Sequence, residues 1–141
     1  KNGAAVDMEL SDRHERVVPY LIFITSIMVC AFYMYKMMLP FWFISLLLGA
    51  CVALILALLI NFFWKISAHA IGTGGLLGGI MGVARIHLIN PYWAFILIAG
   101  LVGTSRIFLK RHTPMQVYAG FCLGFICTFV ASFLSYIYLF I

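Results

Sequence analysis

Apolar residues fill five stretches of this chain, at about 17–35, 40–63, 67–87, 91–108 and 114–141, and only short polar islands separate them. Runs of about 20 apolar residues match the hydrocarbon thickness of a bilayer and have no reason to persist in a water-soluble helix. The pattern predicts an all-α, polytopic transmembrane bundle of about five spans. No linker divides it, so residues 1–141 form one domain, with residues 1–16 as a polar segment outside the membrane. Pro40, Pro91 and Pro114 mark three of the boundaries and suit the first turn of a helix, where a missing N–H costs nothing. Lys stands first and no signal-peptide pattern precedes the first span, which leaves room for a further helix upstream.

Composition agrees on the solvent. The chain is 65% hydrophobic and 9% charged with a mean hydropathy of +1.12, against about 25% charged residues in an ordinary soluble domain. Cys30, Cys51, Cys122 and Cys127 all lie inside apolar runs, with neither CxxC nor Cys/His spacing. They read as small core hydrophobes rather than metal ligands.

Charge changes the picture more. If the spans alternate in direction, residues 1–16, the turn at 61–69 and the loop at 105–113 share one side of the membrane, side A. Of the nine Lys and Arg residues, Lys1, Arg13, Arg16, Lys65, Arg106, Lys110 and Arg111 fall on side A, and Lys36 and Arg85 on side B. Two readings fit: cytoplasmic loops enriched in cations, or cations gathered around an anionic ligand. The charge count alone does not choose.

Polar residues among the cations sharpen the second reading. In "KISAHA" Ser67 and His69 open the third span, and in "RHTPM" His112 and Thr113 open the fifth. Both helices begin on side A, so their free amides and positive dipole ends face one aqueous pocket, an arrangement that binds phosphate or sulfate. Thr113 before Pro114 makes a good N-cap and first-turn pair.

The stretch "SRIFLKRHTPMQ", residues 105–116, resembles the third signature of the type 2 phosphatidic acid phosphatase superfamily, S-R, five residues, H, three residues, D, and "VYAGFCLG" continues as that family does. "ISAHA", residues 66–70, resembles its second signature, P-S-G-H, and the likeness runs from about Arg13 to Gly124. The resemblance implies a membrane-integral lipid phosphate phosphatase in which His112 is the nucleophile that forms a phosphohistidine. His69 would be the general acid, and Ser67, Arg106, Ser105 and Arg16 would bind phosphate. It implies no metal and no cofactor. The partners it implies are a lipid phosphate or polyprenyl diphosphate substrate and membrane lipids, not nucleic acid; phosphatidate and phosphatidylglycerol phosphate both suit such a pocket. By likeness to bacterial members, the protein would sit in the inner (plasma) membrane with side A outward.

The chemistry holds on its own terms. An imidazole that attacks phosphorus must be neutral, whereas one that protonates a departing alkoxide must start charged, so two histidines can divide the tasks. Arg106 would grip the equatorial oxygens through forked, charge-assisted hydrogen bonds. Three positions depart from the family. Gln116 stands where the family has the Asp that orients the nucleophilic histidine; its amide can accept a hydrogen bond from His112 but brings no charge. Ile66 and Ala68 replace the Pro and Gly around Ser67. In the degenerate first signature, Glu9 stands where a Lys belongs, leaving Arg16 near Pro19.

These departures keep a second class open, a lipid-phosphate or anion-binding or transport protein with weakened turnover. A vanadate haloperoxidase is disfavoured, since those enzymes are soluble. Gly72, Gly75, Gly79 and Gly82 recur at helical spacing, and Gly75-x-x-x-Gly79 and Gly120-x-x-x-Gly124 read as small-residue contacts between the third and fifth helices rather than a phosphate loop. Arg85, His87, Tyr92 and Trp93 near side B, with Trp42 and Trp64, fit interfacial belts.

Overall fold

A computed structural model describes residues 17–83 and 92–140. Among the described residues five α-helices follow one another: α1 (Val17–Lys36), α2 (Phe41–Phe63), α3 (Ala68–Val83), α4 (Tyr92–Phe108) and α5 (Pro114–Phe140). No strand occurs among the described residues. The all-α class and the order of the elements are as the hydrophobic pattern predicts. Among the described residues three helices, α1, α2 and α5, are long and apolar enough to cross a membrane. The other two are shorter, 16 residues in α3 and 17 in α4. At 1.5 Å per residue their described parts extend about 25 Å.

Prolines and hydroxyl caps set the helix starts. Pro40 immediately precedes α2 and Pro114 occupies the first position of α5, where neither ring breaks a hydrogen bond. Two helix ends close in the same way. After α1, Leu39 N–H donates to the Met34 carbonyl and Met38 N–H to Tyr35; after α4, Arg111 N–H donates to Arg106 and Lys110 N–H to Ile107. Each pair is a Schellman motif, which needs one residue with left-handed backbone. Met38 and Lys110 fill that place at φ 56° and 54° without being glycine.

The densest helix contact is the seam between α3 and α5, and the buried apolar cluster beside it, Tyr20, Ala53, Ala57, Ile66 and Ile71, draws in α1 and α2. A Cβ built on Gly74 would collide with the Phe121 carbonyl oxygen, and one on Gly124 with that of Ile71. No side chain fits between these backbones. The glycines that face α5 therefore differ from those the spacing suggests. Gly74, Gly78 and Gly82 press against α5, with Gly75 in ordinary contact, whereas Gly79 faces Leu46 of α2 and a Cβ on Gly72 would meet nothing within 4 Å. Gly120 and Gly124 do form the α5 half of the contact. The Thr128 hydroxyl of α5 ties the seam across helices by donating to the Gly75 carbonyl at 2.8 Å, a bond that apolar surroundings favour.

Helix α2 lies along α5, α1 rests on α2, and α4 leans against α3. The outer faces of α1 and α4 carry large exposed apolar side chains, such as Ile22 at 60% and Leu101 at 71% exposure. Apolar surface this extensive suits hydrocarbon rather than water.

Candidate active site

Helix directions bring the starts of α3 and α5 and the end of α4 to one end of the bundle. Arg106 lies in the last turn of α4, and the Schellman motif then folds the chain back over that turn. The Arg106 carbonyl accepts from the amides of Arg111 at 3.1 Å and His112 at 3.3 Å. One backbone oxygen thus fixes where His112 stands relative to Arg106.

Thr113 caps α5 as half of a reciprocal pair. Gln116 N–H donates to Thr113 Oγ1 at 3.4 Å, and Thr113 N–H donates to Gln116 Oε1 at 3.1 Å. This is a capping box, T-x-x-Q, with glutamine in the third helical position. The same Oε1 lies 3.2 Å from His112 Nδ1. A backbone N–H can only donate, so the atom facing it must be the carbonyl oxygen of the amide and not its NH2. That oxygen can only accept. Nδ1 must therefore carry the proton, which in a neutral ring leaves Nε2 as the basic nitrogen.

Across the seam, Ser67 caps α3. It is fully buried, and its Oγ accepts from Ala70 N–H at 3.4 Å. Its own N–H reaches the Gln116 carbonyl at 3.4 Å. The two helix starts are thus joined directly, which holds His69, two residues beyond Ser67, near the start of α5.

His69, Arg106 and His112 line one cavity of about 800 Å³. The remaining wall is almost wholly apolar and comes from α1, α2, α3 and α5, including Tyr20, Leu54 and Leu76. Gln116 stands behind His112. Ser67 does not line the cavity, being closed in beneath the start of α3. Ser105 is exposed and its hydroxyl donates to the Val102 carbonyl of its own helix at 2.7 Å. It too is away from the cavity lining. Arg16, with Arg13, Glu9, Arg85 and His87, lies outside the described residues. Among the described residues no three His, Cys, Asp or Glu side chains come together as a metal site.

Two features of the site do not emerge from the motifs. The capping box has a sequence signal, since Thr and Gln stand three apart at a helix start, but an amide in the place of an expected carboxylate reads first as a catalytic departure. The apolar wall from α1 has no signal, because Tyr20 and Phe23 are far from the histidines along the chain and resemble any membrane-facing aromatic. Comparisons with family models, with curated proteins and with solved structures return no match to this chain, so the functional reading rests on the site's own residues.

Proposed function

We propose that the chain is a membrane-integral phosphatase resembling the type 2 phosphatidic acid phosphatases, which removes the terminal phosphate of a lipid phosphate or diphosphate through a phosphohistidine. The observation that carries this reading is the convergence of His69, Arg106 and His112, from three separate segments, on a single cavity with apolar walls. In this reading all five apolar stretches cross the bilayer, and the histidine end faces outward from a bacterial plasma membrane.

His112 Nε2 attacks phosphorus and the P–O bond to the lipid breaks. The leaving oxygen takes its proton from His69, starting as imidazolium. Arg106 holds the equatorial oxygens while negative charge redistributes among them. A water then attacks the phosphohistidine, giving its proton to the now neutral His69, and releases phosphate and free His112. The side-chain amide oxygen of Gln116 keeps the ring in the reactive tautomer throughout. The resemblance adds Arg16 to the phosphate-binding residues.

A second reading is a lipid-phosphate-binding or transport protein, favoured by the neutral amide at Gln116, which cannot stabilise an imidazolium by charge. Phosphate release from a panel of phosphatidate, phosphatidylglycerol phosphate and polyprenyl diphosphate in detergent, with and without chelator, separates the two. Release that survives the chelator is the expected result. Saturable binding of these lipids with no release makes the protein a binder.

A further inference from the structure

The cavity reaches far beyond the space a phosphate needs. Along α3 its wall runs from Ala68 at the histidine end to Ile80, about 18 Å at 1.5 Å per residue. One leaflet contributes about half of a ~30 Å hydrocarbon core, so the cavity is as deep as a lipid tail is long. Its far end is formed by Ile27 of α1, Leu46 and Leu47 of α2 and Ile80 of α3. The Thr128 hydroxyl, which also faces it, is occupied by the carbonyls of Gly75 and Gly124 at 2.8 and 2.9 Å and places no unmet donor against an apolar guest. The volume, about 800 Å³, lies in the upper part of the ~300–1,000 Å³ range of small-molecule sites.

We infer that this cavity takes the hydrocarbon tail of a phosphate-headed amphiphile along a groove between α1, α2 and α3, and that Gly72 is the residue that keeps the groove open. The inference rests on the phosphate reading of the histidine end and goes beyond it. A phosphate alone needs no apolar groove. The cationic and imidazole groups at one end and the dry walls below match the two halves of a single amphiphile.

Gly72 is the position that makes this testable. It lines the cavity, and a Cβ there would meet nothing within 4 Å. Its backbone is helical with no positive φ, so a larger residue fits without strain and points its side chain into the groove. Gly100 of α4 is the matched control: it too has open space around its Cβ but does not line the cavity.

The experiment uses the full chain in lipid nanodiscs with hexadecyl phosphate bearing a diazirine in the distal half of its tail. In wild type and Gly100→Leu, photolabel is expected on Leu46, Leu47 and Ile80; in Gly72→Leu it is expected to fall at least five-fold. Release of phosphate from hexadecyl phosphate is expected to fall about ten-fold in Gly72→Leu and to be unchanged in Gly100→Leu. Label confined in wild type to outward residues such as Leu101, or equal deep label in Gly72→Leu and Gly100→Leu, overturns the inference. Deep labelling that a phosphate-free hexadecyl probe matches removes the phosphate head from it. Deep, phosphate-dependent, Gly72-sensitive labelling without any release upholds the tail site and rejects the phosphatase reading instead.

Discussion

Gln116 holds His112 through one oxygen, 3.2 Å from Nδ1, and that oxygen is itself fixed by the backbone amide of Thr113 at 3.1 Å. A residue that reads from sequence as a lost carboxylate is therefore also a helix cap. The two roles can be separated by substitution. Gln116→Glu keeps the length of the side chain and the capping box and adds the missing charge, so single-turnover phosphate release is expected to rise about ten-fold, worth about 1.4 kcal/mol of barrier. Gln116→Asp is expected to gain less, because its shorter side chain must choose between the amide and the ring. Gln116→Leu removes both bonds and is expected to lower stability by about 1 kcal/mol and to slow release. Leu matching Gln in rate, with Glu bringing no gain, takes position 116 out of the mechanism.

The two histidines are expected to fail in different ways. His112→Ala abolishes release from every substrate while the protein still folds, because a side chain at a helix end leaves no core cavity behind. His69→Ala cripples release from a lipid alkyl phosphate far more than from an aryl phosphate, whose leaving group departs without a proton. Equal losses on the two substrates would exclude His69 as the general acid.

Helix starts and the polar residues beside them are legible in the amino-acid sequence, and the reasons differ from residue to residue. Pro40, Pro114, Ser67 and Thr113 announce helix starts because their chemistry suits nowhere else in a helix so well. His69, Arg106 and His112 stand out because polar groups beside hydrocarbon are costly unless they have a task. Direction is not legible in the same way. Helix α3 carries glycine on several faces, and only the approach of α5 decides that Gly74 and Gly78 form the contact while Gly72 faces the cavity. Similarly, nothing in the spacing of Ser105 foretells that its hydroxyl turns back to Val102.

The glycines supply a stability test with opposite signs on one helix pair. A methyl at Gly124 would collide with the Ile71 carbonyl oxygen and meet the Gly75 amide nitrogen at 2.9 Å, so the helices must separate. Gly124→Ala is expected to cost at least about 2–3 kcal/mol. Gly72→Ala meets open space and gains up to about 1 kcal/mol from helix propensity. Thermal melting in detergent reads both. A neutral Gly124→Ala would mean that α3 and α5 do not meet backbone to backbone.

The last test concerns the turn that joins Arg106 to His112. Lys110 adopts φ 54°, a left-handed conformation that costs a residue with a Cβ about 1–2 kcal/mol, whereas glycine adopts it freely but loses more chain entropy on folding, about 0.5–1 kcal/mol. Lys110→Gly is therefore expected to stabilise the protein by roughly 0.5–1 kcal/mol with little change in release, since the Schellman bonds survive. Lys110→Pro tests the same geometry from the other side. Proline fixes φ near −65° and has no N–H, so it cannot adopt the left-handed turn or donate to the Ile107 carbonyl, as Lys110 does at 2.9 Å. With that turn undone, the amides of Arg111 and His112 lose their hold on the Arg106 carbonyl and the His112 ring shifts relative to the guanidinium. A displacement of ~1 Å at a reacting group can cost about a hundred-fold in rate, so release is expected to fall to that extent while α1, α2 and the α3–α5 seam keep their helical circular dichroism. Unchanged turnover in Lys110→Pro would show that the turn does not position His112.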